Sequence, residues 1–416
     1  MSNVEITKLS NGIKVISENL PYVKSFSLGF WFRNGSRDEN RYNNGISHFI
    51  EHMVFKGTTK RTSRMIAEEI ESVGGYLNAF TSKENTCFYG RGLSQHLSKT
   101  YEVLADIIQN PLFRESDLKK ESGVVIDELN DIWDNPDDLI FDIFEEQLFN
   151  QSGLGYPIIG REENIRSFNG TLLHNYYNKH YKQGEIIVVA SGLVEHEELV
   201  ALTERFFNRK KTISKAKNNS KTEVARTDYL LEKEIQQVHC ILGKQGYGYQ
   251  SDRRVAQLLL ANLLGEGSSS RLFQAVREKS GMTYQIHTFI NSFSNIASFG
   301  IYFSTNEKYF DKVIGVIKRE TDKLTEKGIK KKELDRVKEF TKGTLVMSME
   351  GTTNRMIRIA SSMLNQKKIV PMEEVIEKID AVTVDEIKEM AKEQLDFSKL
   401  SKIIICANKD SRIKVA

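Results

Sequence analysis

Residues 238–254 read VHCILGKQGYGYQSDRR, and residues 27–41 read SLGFWFRNGSRDENR. Each is a mostly apolar run that breaks at glycine and leaves through charged residues. What comes after each also matches in kind. AQLLLANLLGEGSSSRLF (256–273) stands where SHFIEHMVFKGTTKRT (47–62) stood, and FQAVREKSGMTYQIHTF (273–289) resembles IAEEIESVGGYLNAFTS (66–82). The same order of elements met twice marks a repeated architecture. Two copies of one α+β unit are therefore expected, each a mainly antiparallel sheet packed with helices. The length of 416 residues agrees, being too long for a single ordinary core. Between the copies lies FNRKKTISKAKNNSKTEVART (207–227), polar, lysine-rich and without an apolar period, which reads as a solvated linker. The expected division is a domain at 1–208, the linker at 209–227 and a second domain at 228–416.

Within the first copy the elements can be placed one by one. The apolar, aromatic-rich run from Phe26 to Phe32 reads as a strand ending at the turn Asn34-Gly35. A helix should follow the loop that ends at Gly45, with Ser47 as its candidate N-cap. RTSRMIAEEIESVGG (61–75) is an amphipathic helix with a glycine stop, and YLNAFTSKENTCFYGRG (76–92) is a strand pair around a polar turn. Helices are expected at HLSKTYEVLADIIQN (96–110) and DLKKESGVVIDELNDIW (117–133), the second bounded by Pro136. GEIIVVASG (184–192) is a buried strand ahead of a helix near Glu195.

Composition narrows the function class. Hydrophobic residues make up 39% and charged residues 28%, which fits globular packing. A net charge of +3 from 59 basic and 56 acidic residues is too small for a nucleic-acid footprint. Cys87, Cys240 and Cys406 are odd in number and far apart, fitting neither a disulfide framework nor a cysteine zinc cluster. The first twenty residues, MSNVEITKLSNGIKVISENL, have no basic n-region or long apolar stretch, and nothing approaches the ~18 apolar residues of a membrane span. A cytoplasmic protein without a membrane partner is expected.

Chemistry enters at GISHFIEHMVFKGT (45–58). On an α-helix, positions four apart are about 40° apart around the axis, so His48 and His52 project from one face and can grip one ion. Imidazole is a preferred zinc ligand, and Glu51 sits beside that face, able to touch a metal-bound water without binding the metal. With 8 histidines and 56 acids in 416 residues, such a His-x-x-acid-His run arises by chance about 0.02 times. The apolar Leu258 to Leu260 and Leu263 to Leu264 replace it in the second copy, so only the first half can hold the metal. A third ligand must come from elsewhere. Glu121 and Glu128 are seven apart, about 20° around a helix, and share one face; by themselves two glutamates at this spacing more often mean a solvated helix face.

His-x-x-Glu-His is the inverted zinc motif of the inverzincin metallopeptidases. The chain closely resembles the pitrilysin and insulinase family of these enzymes, in particular its processing-peptidase branch. HFIEHMVFKGT (48–58), GGYLNAFTSKENT (74–86), ESGVVIDEL (121–129) and SSRLFQAVREKSGMTYQI (269–286) look like family blocks in family order, so the resemblance covers nearly the whole chain. The family completes its site with a glutamate about 76 residues after the second histidine, which here lands on Glu128.

The resemblance implies a zinc endopeptidase with one Zn2+ per chain, held by His48, His52 and Glu128. Catalysis would use a metal-activated water with Glu51 as general base, and Glu121 as the supporting glutamate. It also implies an extended peptide substrate added by backbone hydrogen bonds to the edge strand around Asn78, Ala79 and Thr81, with Phe55 lining the pocket just after the cleaved bond. Asp138 and Asp142 match acids that meet an arginine before the cleavage site, although alone they fit a solvated acidic face. Arg277 and Tyr284, by themselves a helix cation and a strand aromatic, match the pair that holds substrate and steadies the oxyanion. Relatives with four such units take that pair from the fourth and the zinc from the first. This chain has two, so a homodimer is implied. LLGEGSSSRLF (263–273) resembles the family's glycine-containing loop, with Glu266 departing from its glycines. The competing expectation is a non-catalytic scaffold or substrate-binding subunit, which would be expected to have lost a zinc ligand or the base, that is, one of His48, His52, Glu128 and Glu51.

Overall fold

The computed structural model describes residues 3–150, 152–207 and 224–407, so the linker expected at 209–227 lies outside the described residues except for 224–227. Among the described residues, eleven strands form two sheets. β1 (Asn3–Lys8), β2 (Lys14–Asn19), β3 (Ser25–Phe32), β4 (Tyr76–Thr81), β5 (Thr86–Leu93) and β6 (Ile186–Gly192) make the first, and β7 (Asp228–Glu232), β8 (Val238–Gly246), β9 (Thr283–Ser292), β10 (Ala297–Thr305) and β11 (Ser401–Cys406) the second. Their orders are β1-β2-β6-β3-β5-β4 and β7-β11-β8-β10-β9. Without β1 the two orders are the same, including one parallel pair each, β2 with β6 and β7 with β11; every other pair is antiparallel. The repeat expected from residues 238–254 is thus a repeat of topology.

Five helices of the first half matter for the site and its surroundings. α1 (Ile46–Val54), α2 (Ser63–Glu71), α3 (Leu97–Gln109) and α4 (Glu115–Asp134) follow one another along the first half, and α5 (Pro136–Phe149) restarts directly after α4. Pro136 explains both events: it cannot continue α4, yet its fixed φ suits the first position of α5, where the Asn135 side chain accepts the Asp137 N–H. α2 stops where Gly74 takes a positive φ of 66°.

Two compact units result. The first combines the described residues of 1–130, 156–218 and 348–367; the second combines those of 131–155, 219–347 and 368–416. Relative to the halves 1–208 and 228–416 expected from sequence, two segments have changed places. The helix Thr352–Gln366 packs in the first unit against β3 and β6, and α5 packs in the second against β8 and β11. Both arrivals depend on a glycine in a strand. A Cβ on Gly29 of β3 would come within 3.0 Å of Met356 Sδ, and one on Gly243 of β8 within 2.5 Å of Phe144 Cζ. On α5, Leu139, Ile140, Ile143 and Phe144 are buried in the second core, each contributing roughly 1.5–3 kcal/mol. In the first unit, Ser27 Oγ lies 2.9 Å from Thr352 Oγ1 and 2.8 Å from Thr353 Oγ1, and Arg355 pairs with buried Glu18 at 2.8 Å.

Strand β3 is buried along Phe26–Phe32 on both faces, which is why its sequence runs apolar instead of alternating. Among the described residues no helix is long and apolar enough to cross a membrane.

Candidate metal centre

Helix α1 is set by its apolar side. Ile46, Phe49, Ile50, Met53 and Val54 are fully buried, spaced at three and four residues, and fix the helix against β4 and β5. His48, Glu51 and His52 are left on the other side. The start of the helix corrects an expectation. Ser47 is not the N-cap: the helix begins at Ile46, after Gly45 with φ 95°, and Ser47 Oγ joins Asn34 Nδ2 at 3.1 Å and Tyr176 OH at 3.2 Å. The capping carboxylate comes from the preceding loop. Glu39 accepts the N–H of Gly45 at 2.7 Å and of Ser47 at 2.8 Å.

The second element is α4, whose buried Leu118, Val125 and Ile126 anchor it and whose Glu121 and Glu128 lie two turns apart on one face. The imidazole centroids of His48 and His52 are 4.7 Å apart. His48 Nε2 lies 3.8 Å from Glu128 Oε1, and His52 Nε2 lies 3.6 Å from Glu128 Oε2. These separations exceed hydrogen-bond length. Ligand bonds of about 2.0–2.2 Å in a tetrahedral shell put neighbouring donor atoms about 3.3–3.6 Å apart, so the three side chains stand close to the spacing an ion would impose. Among the described residues, no other three His, Cys, Asp or Glu side chains gather in this way. The Glu128 side chain is 45% exposed, against 12% and 22% for the histidines, so the group opens to solvent on the glutamate side.

Protonation fits the same use. His52 Nδ1 is 2.9 Å from Glu121 Oε1. A carboxylate accepts only, so Nδ1 carries the proton and Nε2 presents its lone pair toward Glu128. Burial, with His52 beside it, pushes His48 down to about 4, leaving a neutral imidazole; its Nδ1 is buried with no hydrogen-bond partner. Burial pulls His52 down too, but the hydrogen bond and charge of Glu121, with Glu128 and Glu51, raise it above its ordinary value. A proton therefore competes with a metal for Nε2 as pH falls. Glu51 receives Thr81 Oγ1 at 2.7 Å, and burial pushes its carboxyl above the usual range. Glu121 is buried, and Lys56 Nζ stands 2.5 Å from its second oxygen; these partners overcome desolvation and hold its carboxyl below the usual range.

Of the other expected residues, Thr81, Asn78 and Ala79 lie on β4, which pairs with β5 alone and ends the sheet. The Ala79 N–H donates to Asn78 Oδ1 at 2.8 Å. Phe55 closes α1, with its ring 6.2 Å from that of Phe88. Asp138 and Asp142 sit on α5, and Arg277 and Tyr284 also belong to the second unit. Asp138 Oδ2 accepts from Asn135 Nδ2 at 2.6 Å, within the cap of its own helix. Arg277 lies over the rings of Tyr284 at 4.7 Å and Phe273 at 4.8 Å. Lys56 and Glu39 were absent from the sequence expectations. Lys56 follows His52 by four, a spacing that could have revealed it; Glu39 is in a loop, where no period applies.

Comparison with known proteins adds to this geometry. Residues 14–162 match the family model described as insulinase (peptidase family M16), and residues 167–340 match the one described as peptidase M16 inactive domain. A Bacillus subtilis protein named "uncharacterized zinc protease YmxG" is 35% identical over 92% of this chain and 93% of its own. A Rickettsia felis protein named "uncharacterized zinc protease" is 36% identical over 92% and 93%. In fold, the crystal structure of a protease from Helicobacter pylori matches with a TM-score of 0.89, 20% identity and coverage of 98% of this chain and 100% of that one. A peptidase M16 inactive domain from Pseudomonas fluorescens matches with 0.90, 18% identity and 98% coverage of both.

Proposed function

The chain belongs to the insulinase family, peptidase family M16, and from that premise we propose that it is a zinc-dependent endopeptidase acting on flexible or unfolded peptides. The observation that carries the reading is the convergence of His48, His52 and Glu128, with ligand atoms all within 4.8 Å of one another and each histidine 3.6–3.8 Å from Glu128, beyond hydrogen-bond length, and Glu51 beside them on α1. A zinc ion held there supplies a Lewis acid that polarises the scissile carbonyl and acidifies water. Glu51, oriented by Thr81, takes the proton of the attacking water and returns it to the leaving amine. Its burial, which raises the carboxyl's affinity for a proton, suits it to hold one between those steps. Glu121 orients His52. The peptide adds to β4 along Asn78, Ala79 and Thr81, with Phe55 facing the residue after the cleaved bond. Specificity for a basic residue through Asp138 and Asp142 belongs to the same proposal.

Arg277 and Tyr284 bind the substrate and the developing oxyanion from a second copy of the chain, making the working form a homodimer. The stacked pair suits this, since Tyr284 is 71% exposed and Arg277 is held over its ring. A non-catalytic scaffold is the weaker reading because both histidines, Glu51 and Glu128 are all present.

Glu51→Gln should lower cleavage of an unstructured peptide by about 10³-fold or more while zinc content stays at one per chain. Full activity in that variant removes the mechanism. Mixing it with inactive Arg277→Ala protein should restore activity through one intact hybrid site; no recovery after verified subunit exchange removes the dimer.

A further inference from the structure

Lys56 follows His52 by four residues and so lies one turn further along the same face of α1, just past its last residue. Its Nζ stands 2.5 Å from Glu121 Oε2, while the other oxygen, Oε1, holds His52 Nδ1 at 2.9 Å. Glu121 is 4% exposed, so each oxygen depends on its protein partner. The carboxylate is therefore held at one oxygen by α1 and at the other by Lys56, two residues past the end of that helix, and it rises from the helix that brings Glu128.

Building on the metal reading above, we infer that Lys56 is a positioning residue for the zinc site: it locks Glu121 in the rotamer that aims His52 Nε2 at the ion. The lock also has a negative effect. With its second oxygen held by an ammonium, Glu121 cannot swing round to offer that oxygen to the metal, so it orients a ligand and does not become one. Without Lys56, Oε2 loses its partner in a buried place and the carboxylate is free to turn, which loosens the ring it directs.

The test compares zinc affinity, by chelator competition at fixed pH, in wild type, Lys56→Met, Lys56→Arg, Glu121→Gln and the Lys56→Met/Glu121→Gln double variant. Orienting partners of metal-bound imidazoles are worth about 10–100-fold in affinity. Lys56→Met should weaken zinc binding about tenfold, Lys56→Arg should recover most of the loss, and the Lys56→Met change should cost almost nothing once Glu121 is Gln. The cobalt-substituted protein should show a visible absorption band altered by Lys56→Met and restored by Lys56→Arg. Equal losses in both backgrounds would mean that Lys56 acts only on folding and would overturn the inference, as would unchanged affinity in Lys56→Met. Wild-type protein that binds no zinc would overturn the metal reading itself, and this inference with it.

Discussion

Helix α1 and the helix Arg254–Gly265 hold equivalent places in two sheets of the same strand order, and they differ where chemistry would sit. Aligned without gaps from Ser47 and Ala256, His48 corresponds to Gln257, Glu51 to Leu260 and His52 to Ala261. In the second helix every one of these is buried: Gln257 and Leu260 at 0% and Ala261 at 5% exposure, with Gln257 Oε1 accepting the Tyr247 N–H at 2.8 Å. The packing requirement of the fold is thus met by a leucine, an alanine and one satisfied amide. α1 fills the same place with two imidazoles and a carboxylate, groups that gain nothing from burial and lose hydration. The topology does not need them, which separates the part of α1 that builds the domain from the part that does something else.

Transplanting the second helix's residues into the first is the sharpest way to break this contrast. His48→Gln with His52→Ala should abolish metal binding and lower peptide cleavage by more than about 10³-fold, with the urea midpoint of metal-free protein nearly unchanged. Retained metal, read by elemental analysis after dialysis, would mean that the ligands lie elsewhere. The next effect concerns stability. Leu260→Ala should cost about 2–5 kcal/mol through transfer and cavity terms. Glu51→Ala, at the matching place in α1, should leave metal-free protein within about 0.5 kcal/mol of wild type or make it more stable, because it removes a carboxyl that burial disfavours. Urea titrations in the presence of chelator measure both. Equal losses would show that Glu51 is a packing residue.

How much of this could be read in the sequence follows from what each feature depends on. The repeat was legible because it rests on local order: apolar strand, loop, helix, helix, strand pair, met twice. The His48, Glu51 and His52 cluster was legible because helical spacing alone puts them on one side. Glu128 was placed by family likeness, since seven-residue spacing from Glu121 does not distinguish a ligand from a solvated acid. The exchange of α5 and the helix Thr352–Gln366 was not legible, because an apolar helix face carries no address. What admits each helix is the missing side chain of Gly29 or Gly243, in strands far away in sequence. Nor was the Glu39 cap legible. Capping signals are read within a turn of the helix, and the Ser47 expectation followed that rule, whereas Glu39 reaches in from six residues before Gly45.

Glu39 also gives the smallest and most specific effect. Its carboxylate serves α1, whereas at Arg254–Gly265 the N–H of the cap residue Arg253 is met by a neutral hydroxyl, Ser251 Oγ at 3.2 Å. Burial pushes the Glu39 carboxyl above its ordinary value, and hydrogen bonds from Ser47, Gly45 and Asn44 only partly oppose this. A folded-state pKa above the unfolded one means that the folded protein binds the proton more tightly, so the group's contribution is complete below the unfolded value of about 4.3 and declines as pH rises through the folded one. Glu39→Gln removes that titration while keeping an acceptor for the helix N–H groups. The stability difference between wild type and Glu39→Gln, from urea titrations of metal-free protein, should therefore move against the wild type as pH rises from 4 to 7. A difference that is flat with pH, or that moves in favour of the wild type, would mean that the helix N-terminus stabilises the Glu39 anion at least as much as burial disfavours it, and that α1 is held by a charge where the second helix has only a neutral hydroxyl.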